Sequence, residues 1–311
     1  MINNIKLVSS FAHKDKSNVF SNVMVKNGIM TAQNEMTGIS VKVDSDVDFC
    51  CNALRLNQVL SNCKDGIKTK IKSGKIWITS GKFKSNIEII DPDIYPVVEN
   101  SDSDAASEID SGIINTLNSL TQFTEINDVR AALQGVALCD GYLKATNGHM
   151  AIKKQINPIN GIDEVIIPSK SIQTMVRANA LIRSISVKDR MVFFNFDDGF
   201  LFSKTIDHKM PDIDRILVEM KEKTELLKIA EPIKSISSLC DSGRIIHLGK
   251  SIENNDGTAS IDGFNLKESS FNADYLLKII DVADYIDFSQ YPGVCPFSGD
   301  GIVGAVAGVR R

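Results

Sequence analysis

Hydrophobic positions along this chain follow two periods. Leu56, Val59, Leu60 and Cys63 stand at i, i+3, i+4 and i+7, the stripe of a short amphipathic helix. Ile172, Met175 and Val176 keep that spacing with Asn179 in the fourth place, and Leu276, Ile279, Ile280 and Ala283 give a third instance. Around these stripes run alternating segments such as residues 68–80 and 185–196, which predict hairpins turned at Ser73-Gly74 and Asp189-Arg190.

A second helix is predicted at the head of each unit. Residues 2–11 supply it first; Ser111 is placed to cap a run in which Ile113, Leu117 and Leu120 share a face. Pro232 stands as a first-turn proline before Ile233, Ile236 and Cys240. Three helix pairs set among alternating segments imply three α+β domains, each an antiparallel sheet with two short helices on one face.

The units repeat in sequence as well as in pattern. Residues 20–34 align without a gap on residues 133–147, so that Gly28 falls on Gly141, Ala32 on Ala145 and Asn34 on Asn147. Each of these two units exits through Pro-Asp-Ile, at Pro92–Ile94 and Pro211–Ile213, and a proline in an extended segment marks a strand ending. Residues 99–108 are rich in Ser, Asp and Glu and too poor in apolar groups to bury, which predicts a solvated linker near residue 100. The expected domains are 1–100, 101–216 and a shortened 217–311. A chain built by copying one unit is read for what the array encloses or presents.

Charge adds a direction. The chain carries a net charge of -4, yet residues 1–100 hold 13 Lys+Arg against 10 Asp+Glu, while residues 217–311 hold 10 against 14. Six scattered cysteines form no C-x-x-C pair and there are four histidines, so metal and disulfide frameworks are not indicated and the thiols read as small core hydrophobes. Ser73-Gly-Lys75 and Ser80-Gly-Lys82 lack the phosphate-loop spacing, and no nucleophile–base set accompanies His149, which reads as a structural residue beside a tight turn. No cofactor and no enzymatic activity are expected. No apolar run approaches a membrane span and no leader is evident, so a cytoplasmic protein is expected.

One ordered set of residues carries a family resemblance. Asp128–Val136, then Ala145-Thr-Asn-Gly-His149, then Val165-Ile-Ile-Pro168, then Phe202 through Met210-Pro-Asp212 resembles the middle domain of the bacterial DNA polymerase sliding clamp, over about residues 107–216 and more loosely elsewhere. The resemblance implies a divergent, shortened clamp: a head-to-tail homodimeric ring of six domains, threaded by duplex DNA, that does no chemistry and tethers the replicative polymerase and a clamp loader through short peptide motifs.

The resemblance also implies sites. The partner peptide would enter a groove formed by Arg130, Leu133, Thr146, Met150 or Ala151, the exit residues Pro211, Arg215 and Ile216, and the C-terminal Ala305, Ala307, Val309 and Arg310. The family commonly has methionines where Ala307 and Val309 stand, so the groove is expected to differ in shape. A sliding ring must attract phosphate without reading bases. The DNA-facing cations on the inner helices would be Lys6, Lys14, Arg55, Lys64, Lys170, Arg177, Arg183, Lys228, Lys234 and Lys278. A protein-binding scaffold that never encircles DNA is the alternative reading. A trimeric clamp is disfavoured because such clamps use two domains per chain.

Overall fold

The structure, a computed structural model, describes residues 2–64, 66–100, 106–159, 162–240, 244–260 and 266–310. Part of the acidic linker and Arg311 lie outside them. Repeat one contains α1 (Ile2–Ser9), β1 (Asn22–Lys26), β2 (Ile29–Gln33), β3 (Thr37–Lys42), β4 (Phe49–Asn52), α2 (Ala53–Leu60), β5 (Lys68–Lys72), β6 (Lys75–Ser80) and β7 (Phe83–Ile90). Repeat two, after the short β8 (Ser107–Glu108), contains α3 (Ile113–Leu120), β9 (Gly135–Cys139), β10 (Tyr142–Thr146), β11 (Met150–Gln155), β12 (Val165–Pro168), α4 (Ser169–Met175), β13 (Ser184–Lys188), β14 (Met191–Phe196) and β15 (Gly199–Lys204). Repeat three, after β16 (Thr224–Glu225), contains α5 (Leu226–Ser237), β17 (Ile245–Leu248), β18 (Ser251–Glu253), β19 (Thr258–Ser260), β20 (Ser269–Asn272), α6 (Ala273–Ile280), β21 (Tyr285–Ile286), β22 (Val294–Gly299) and β23 (Ile302–Ala307). The order αββββαβββ thus occurs three times among the described residues, with the two helices per repeat that the sequence pattern predicts.

Strand order shows how the repeats are stitched together. One sheet runs β5-β6-β7-β4-β1-β2-β3-β15-β14-β13-β8, a second runs β12-β9-β10-β11-β23-β22-β21-β16, and a third runs β19-β18-β17-β20. In each repeat the first four strands take the same order. In repeats one and two the third of them pairs with the last strand of the following repeat: β3 with β15 and β11 with β23. The chain forms two compact units, Met1–Asn115 with Lys170–Thr205, and Thr116–Ser169 with Ile206–Arg311. Each unit therefore draws strands from two successive repeats.

Local chemistry explains the repeat's fixed points. The β1–β2 turn has Asn27 and Gly28 at φ 51 and 70, and Gly141 in the β9–β10 turn stands at φ 72, a left-handed region that glycine enters without a Cβ clash. Ala32 and Ala145 are fully buried. Asn34 Oδ1 accepts the N–H groups of Met36 and Thr37, and Asn147 Oδ1 accepts those of His149 and Met150. Repeat three has the same turn at Asn254, whose Oδ1 accepts from Asp256 and Gly257. Both predicted hairpins form, with Ser73, Gly74, Asp189 and Arg190 all at positive φ.

The predicted helical stripes face inward. Leu56, Val59, Leu60, Ile172, Met175, Leu276 and Ile279 are 0–3% exposed, and each such side chain removed from water contributes about 1.5–3 kcal/mol. Asn179, the residue that breaks the stripe of repeat two, caps the 3-10 turn Val176–Ala178 that follows α4, at φ 46. Two expectations are corrected. Ahead of α3 the side chain that binds the backbone is Asp110, to the Gly112 N–H at 2.7 Å, rather than Ser111. Pro232 lies inside α5, which begins at Leu226; burial of Leu226, Ile229, Ile233 and Ile236 along one face outweighs the bond that proline cannot donate.

Candidate protein-docking site

The expected groove residues fall in unit 2. β10, β11 and β23 run side by side with Thr146 opposite Ala151 and Ala151 opposite Ala305, while Lys144, Lys153 and Val303 form the next row on the same face. The side-chain period of two makes this row structure obligatory. Leu133, Met150, Ala151 and Ala305 are 0–1% exposed, so they form the packed wall behind the site rather than its surface. Thr146 spends its hydroxyl within the turn, donating to the Met150 carbonyl at 2.6 Å and accepting from the Gly148 N–H at 3.1 Å.

The exposed surface is made by the turn and the C-terminal segment. Arg130 forms a bidentate pair with Asp128 at 2.9 and 2.8 Å, and this side-chain bond, with the Arg130 backbone N–H, holds the Asp128 carboxyl at about 2. The fixed guanidinium lies against Gly148, where a Cβ would come within 3.0 Å of it. Beside it the exposed His149 ring stacks on Tyr275 of α6, with centroids 5.9 Å apart and planes at 24°. Burial, then Glu125 and Asp274, raises the Tyr275 phenol above its ordinary range.

The C-terminal strand continues past this stack. Ala307 donates to the His149 carbonyl at 2.9 Å and Val309 donates to the Ser270 carbonyl at 2.7 Å, while the Tyr291 hydroxyl donates to the Val309 carbonyl at 2.7 Å. Ala307 and Val309 are thereby fixed and half-exposed, and Arg310 is exposed. The exit segment is anchored on the same sheet face. Asp214 accepts from both Lys144 and Lys153, at 2.9 and 2.8 Å, and bridges two like charges that face each other across the strands. Bonds from Lys153 and then Lys144 lower the Asp214 pKa. Met210 packs with Ala132, so Pro211 lies between two anchored points. Arg215 pairs with Asp212 at 2.8 Å, and Ile216 is 37% exposed.

Three residues of the site, His149, Tyr275 and Tyr291, are not among those expected from sequence. A tight turn is enough to account for His149 in the sequence; the structure shows that Asn147 makes the turn while the imidazole faces outward. Tyr275 has a local signal: Asn272-Ala273-x-x-Leu276 repeats Asn52-Ala53-x-x-Leu56. Both asparagines cap their helices, Asn52 Oδ1 on the Arg55 N–H and Asn272 Oδ1 on those of Asp274 and Tyr275.

The cations expected on inner helices are not all helical. Lys6, Arg55, Lys170, Lys228, Lys234 and Lys278 lie on α1, α2, α4, α5, α5 and α6, and Arg177 lies in the 3-10 turn Val176–Ala178. Lys14 and Lys64 stand in the segments after α1 and α2. Arg183 precedes β13 and is bound to Asp197 through two bonds of 3.0 and 3.1 Å. Its placement on a helix is thus corrected, because the strand pair β14–β15 presents the carboxylate that claims it.

Among the described residues no cluster of three or more His, Cys, Asp or Glu could hold a metal ion, and no helix is long and apolar enough to cross a membrane. No protein-family model and no curated protein matches the sequence. Solved structures do match. The DNA polymerase III beta subunit of Streptococcus pyogenes superimposes with a TM-score of 0.85 at 16% identity, covering 100% of this chain and 97% of that one. The subunit from Pseudomonas aeruginosa gives 0.84 at 18%, with the same coverage. The Helicobacter pylori beta clamp, bound to a DNA ligase peptide, gives 0.80 at 16% over 99% of this chain and 97% of that one. The chain has the fold of the bacterial beta sliding clamps along its whole length.

Proposed function

We propose that this protein is a DNA polymerase processivity clamp: two chains close head to tail around duplex DNA, and the face built from His149, Tyr275 and residues 307–310 tethers polymerase, loader and other replication proteins by short peptides. It works by topology and tethering and catalyses nothing. The alternative scaffold reading has no observation in its favour.

The strand-pairing rule carries this reading. Two junctions within the chain join the third strand of one repeat to the last strand of the next. The third strand of repeat three, β19, has no such partner among the described residues. The last strand of repeat one, β7, pairs with β4 only through Ile89 and Ile90, so Phe83–Glu88 has an open edge among the described residues. Exposed edges of this kind recruit another chain. In the two internal junctions Gly38 faces Phe202 and Ala151 faces Ala305; carried to the third, the register sets Thr258 of one chain opposite Asn86 of another, and Ala259 opposite Ser85. Two such junctions close a symmetric dimer.

Comparison of the two internal junctions supports the docking face. Unit 1 fills its sheet face with Phe193, Phe200 and Phe202, whose rings lie 5.9–6.4 Å apart. The equivalent positions in unit 2 are Pro296, Val303 and Ala305, short side chains where unit 1 has rings, and Val303 is 47% exposed. The bound DNA ligase peptide of the Helicobacter pylori clamp is a precedent on the same fold.

The test is retention on DNA. After loading, the protein should remain on circular duplex and run off the same duplex once it is linearised, and light scattering should give twice the mass of the chain. A strictly monomeric mass at micromolar concentration, with equal loss from both DNA forms, would reject the reading.

A further inference from the structure

Cations are distributed unevenly among the helix pairs, and the difference lies in their partners. In repeat one, Lys6 on α1, Lys14 and Lys16 in the turn after it, Arg55 on α2 and Lys64 beyond α2 are at the surface. Among the described residues none of these five enters an ion pair, whereas Lys26 and Lys75 elsewhere in the repeat do. The nearby Asp15 is turned aside, accepting the Ser17 N–H and hydroxyl at 2.9 Å each. A cleft of ≈ 210 Å³ opens among His13, Lys14, Lys16, Ser9, Ser21 and Asn52, large enough for a phosphate group.

Repeat three presents the same helices with two of their three cations matched by carboxylates. Lys228 is bound to Glu225 at 3.0 Å and Lys234 to Glu231 at 3.4 Å. Lys278 enters no ion pair among the described residues and places its ammonium 5.9 Å from the Tyr275 ring centroid, while Asp274 in the first turn of α6 is bound to Arg244 at 3.0 Å. Repeat two lies between these extremes. Lys170 and Arg177 enter no ion pair among the described residues, while Arg183 is held by Asp197.

A free lysine at a phosphate releases condensed counterions, and that release is the main source of sequence-independent affinity. A lysine already matched by a carboxylate must abandon it first, and the stranded carboxylate then repels the phosphate. We infer that the helix face of repeat one, supported by Lys170 and Arg177, is the principal grip on the DNA backbone, and that the helix face of repeat three, with Lys228 and Lys234 already matched, contributes less. The inference rests on the clamp reading and adds to it a lopsided hold: each chain grips the duplex with its first half and lets it slide past its last third.

Two variants separate the faces, Lys14→Ala/Lys16→Ala/Arg55→Ala and Lys228→Ala/Lys234→Ala. Affinity for a fluorescein-labelled linear duplex is read by anisotropy across a series of NaCl concentrations, with thermal melting to confirm that both fold. The first variant should bind about ten-fold more weakly at low salt, and its salt slope should fall by roughly 2–3, near 0.9 for each phosphate it no longer neutralises. The second should change affinity by less than about two-fold and keep the wild-type slope. Equal weakening of the two, or a larger loss in the second, would overturn the inference. If the unsubstituted protein itself shows no salt-dependent binding, the inference is overturned, while the clamp reading is judged separately by retention on circular duplex.

Discussion

The N–H of Ala307 donates to the carbonyl of His149 at 2.9 Å. Unit 1 contains the same relation between Lys204 and Met36, at 2.8 Å, so the backbone of the junction is made twice and its side chains differ. At one junction the turn residue is a methionine beside three phenylalanine rings; at the other it is an exposed imidazole stacked on Tyr275 beside short side chains. Repetition built the frame, and divergence at a few positions gave unit 2 the surface proposed as the docking face.

That face should be separable from assembly. Tyr275→Ala, His149→Ala and deletion of residues 307–311 should each weaken binding of a labelled polymerase-tail peptide by about ten-fold or more, since rigid aromatic anchors carry much of a small interface's energy. Light scattering of the same variants should still give the dimer mass. Unchanged peptide affinity in all three would remove the docking face from this site.

Asn147 is expected to matter more for stability than its polarity suggests. It is 6% exposed and satisfies the N–H groups of His149 and Met150 at 2.9 and 2.8 Å. Asn147→Ala leaves both donors without that acceptor and should cost about 1–3 kcal/mol in urea unfolding. It should also reduce peptide affinity, because the turn sets the His149 ring. Asn34→Ala should destabilise comparably and leave peptide binding intact.

Acid should reveal Asp287. This carboxylate is fully buried; burial would raise its pKa, but bonds from Ser289, Gln290 and the Lys221 and Glu222 N–H groups prevail and hold it at about 2. Because the folded pKa lies below the usual value near 4, the group's stabilising contribution is present above about pH 4 and is lost as pH falls through about 2. The shift is worth about 2 kcal/mol. Unfolding free energy measured from pH 5 to 2 should fall less steeply in Asp287→Asn than in the wild type, and the variant should be less stable at pH 7. An unaltered pH profile would show that Asp287 does not contribute in this way.

Much of this architecture was legible in the residues because it depends on local periodicity. The stripes at Leu56, Ile172 and Leu276 locate the second helix of every repeat, and Ser73-Gly74 and Asp189-Arg190 place two hairpins within a residue. Pro232 misled because a proline is a local signal and the burial of α5 is a tertiary one. Arg183 misled in the same way, since its partner Asp197 is brought close only by the β13–β14 hairpin. Of the proposed face, Thr146 and Ala307 follow from the resemblance, but Tyr275 and Tyr291 reach His149 and Val309 through chain pairing that no short window contains. The stitching of β3 to β15 and β11 to β23 is a long-range choice and appears only in the sheet order.

The central claim is that β19 of one chain completes β7 of another, and one cross-link tests it directly. Residues opposed across an antiparallel ladder have Cα atoms about 4.5–5.5 Å apart, within reach of a disulfide. Under mild oxidation the Ser85→Cys/Ala259→Cys variant should become a covalent dimer that is released from linear duplex and retained on circular duplex, while neither single variant should. A double variant that stays monomeric under conditions where the wild-type protein is also monomeric would contradict the account.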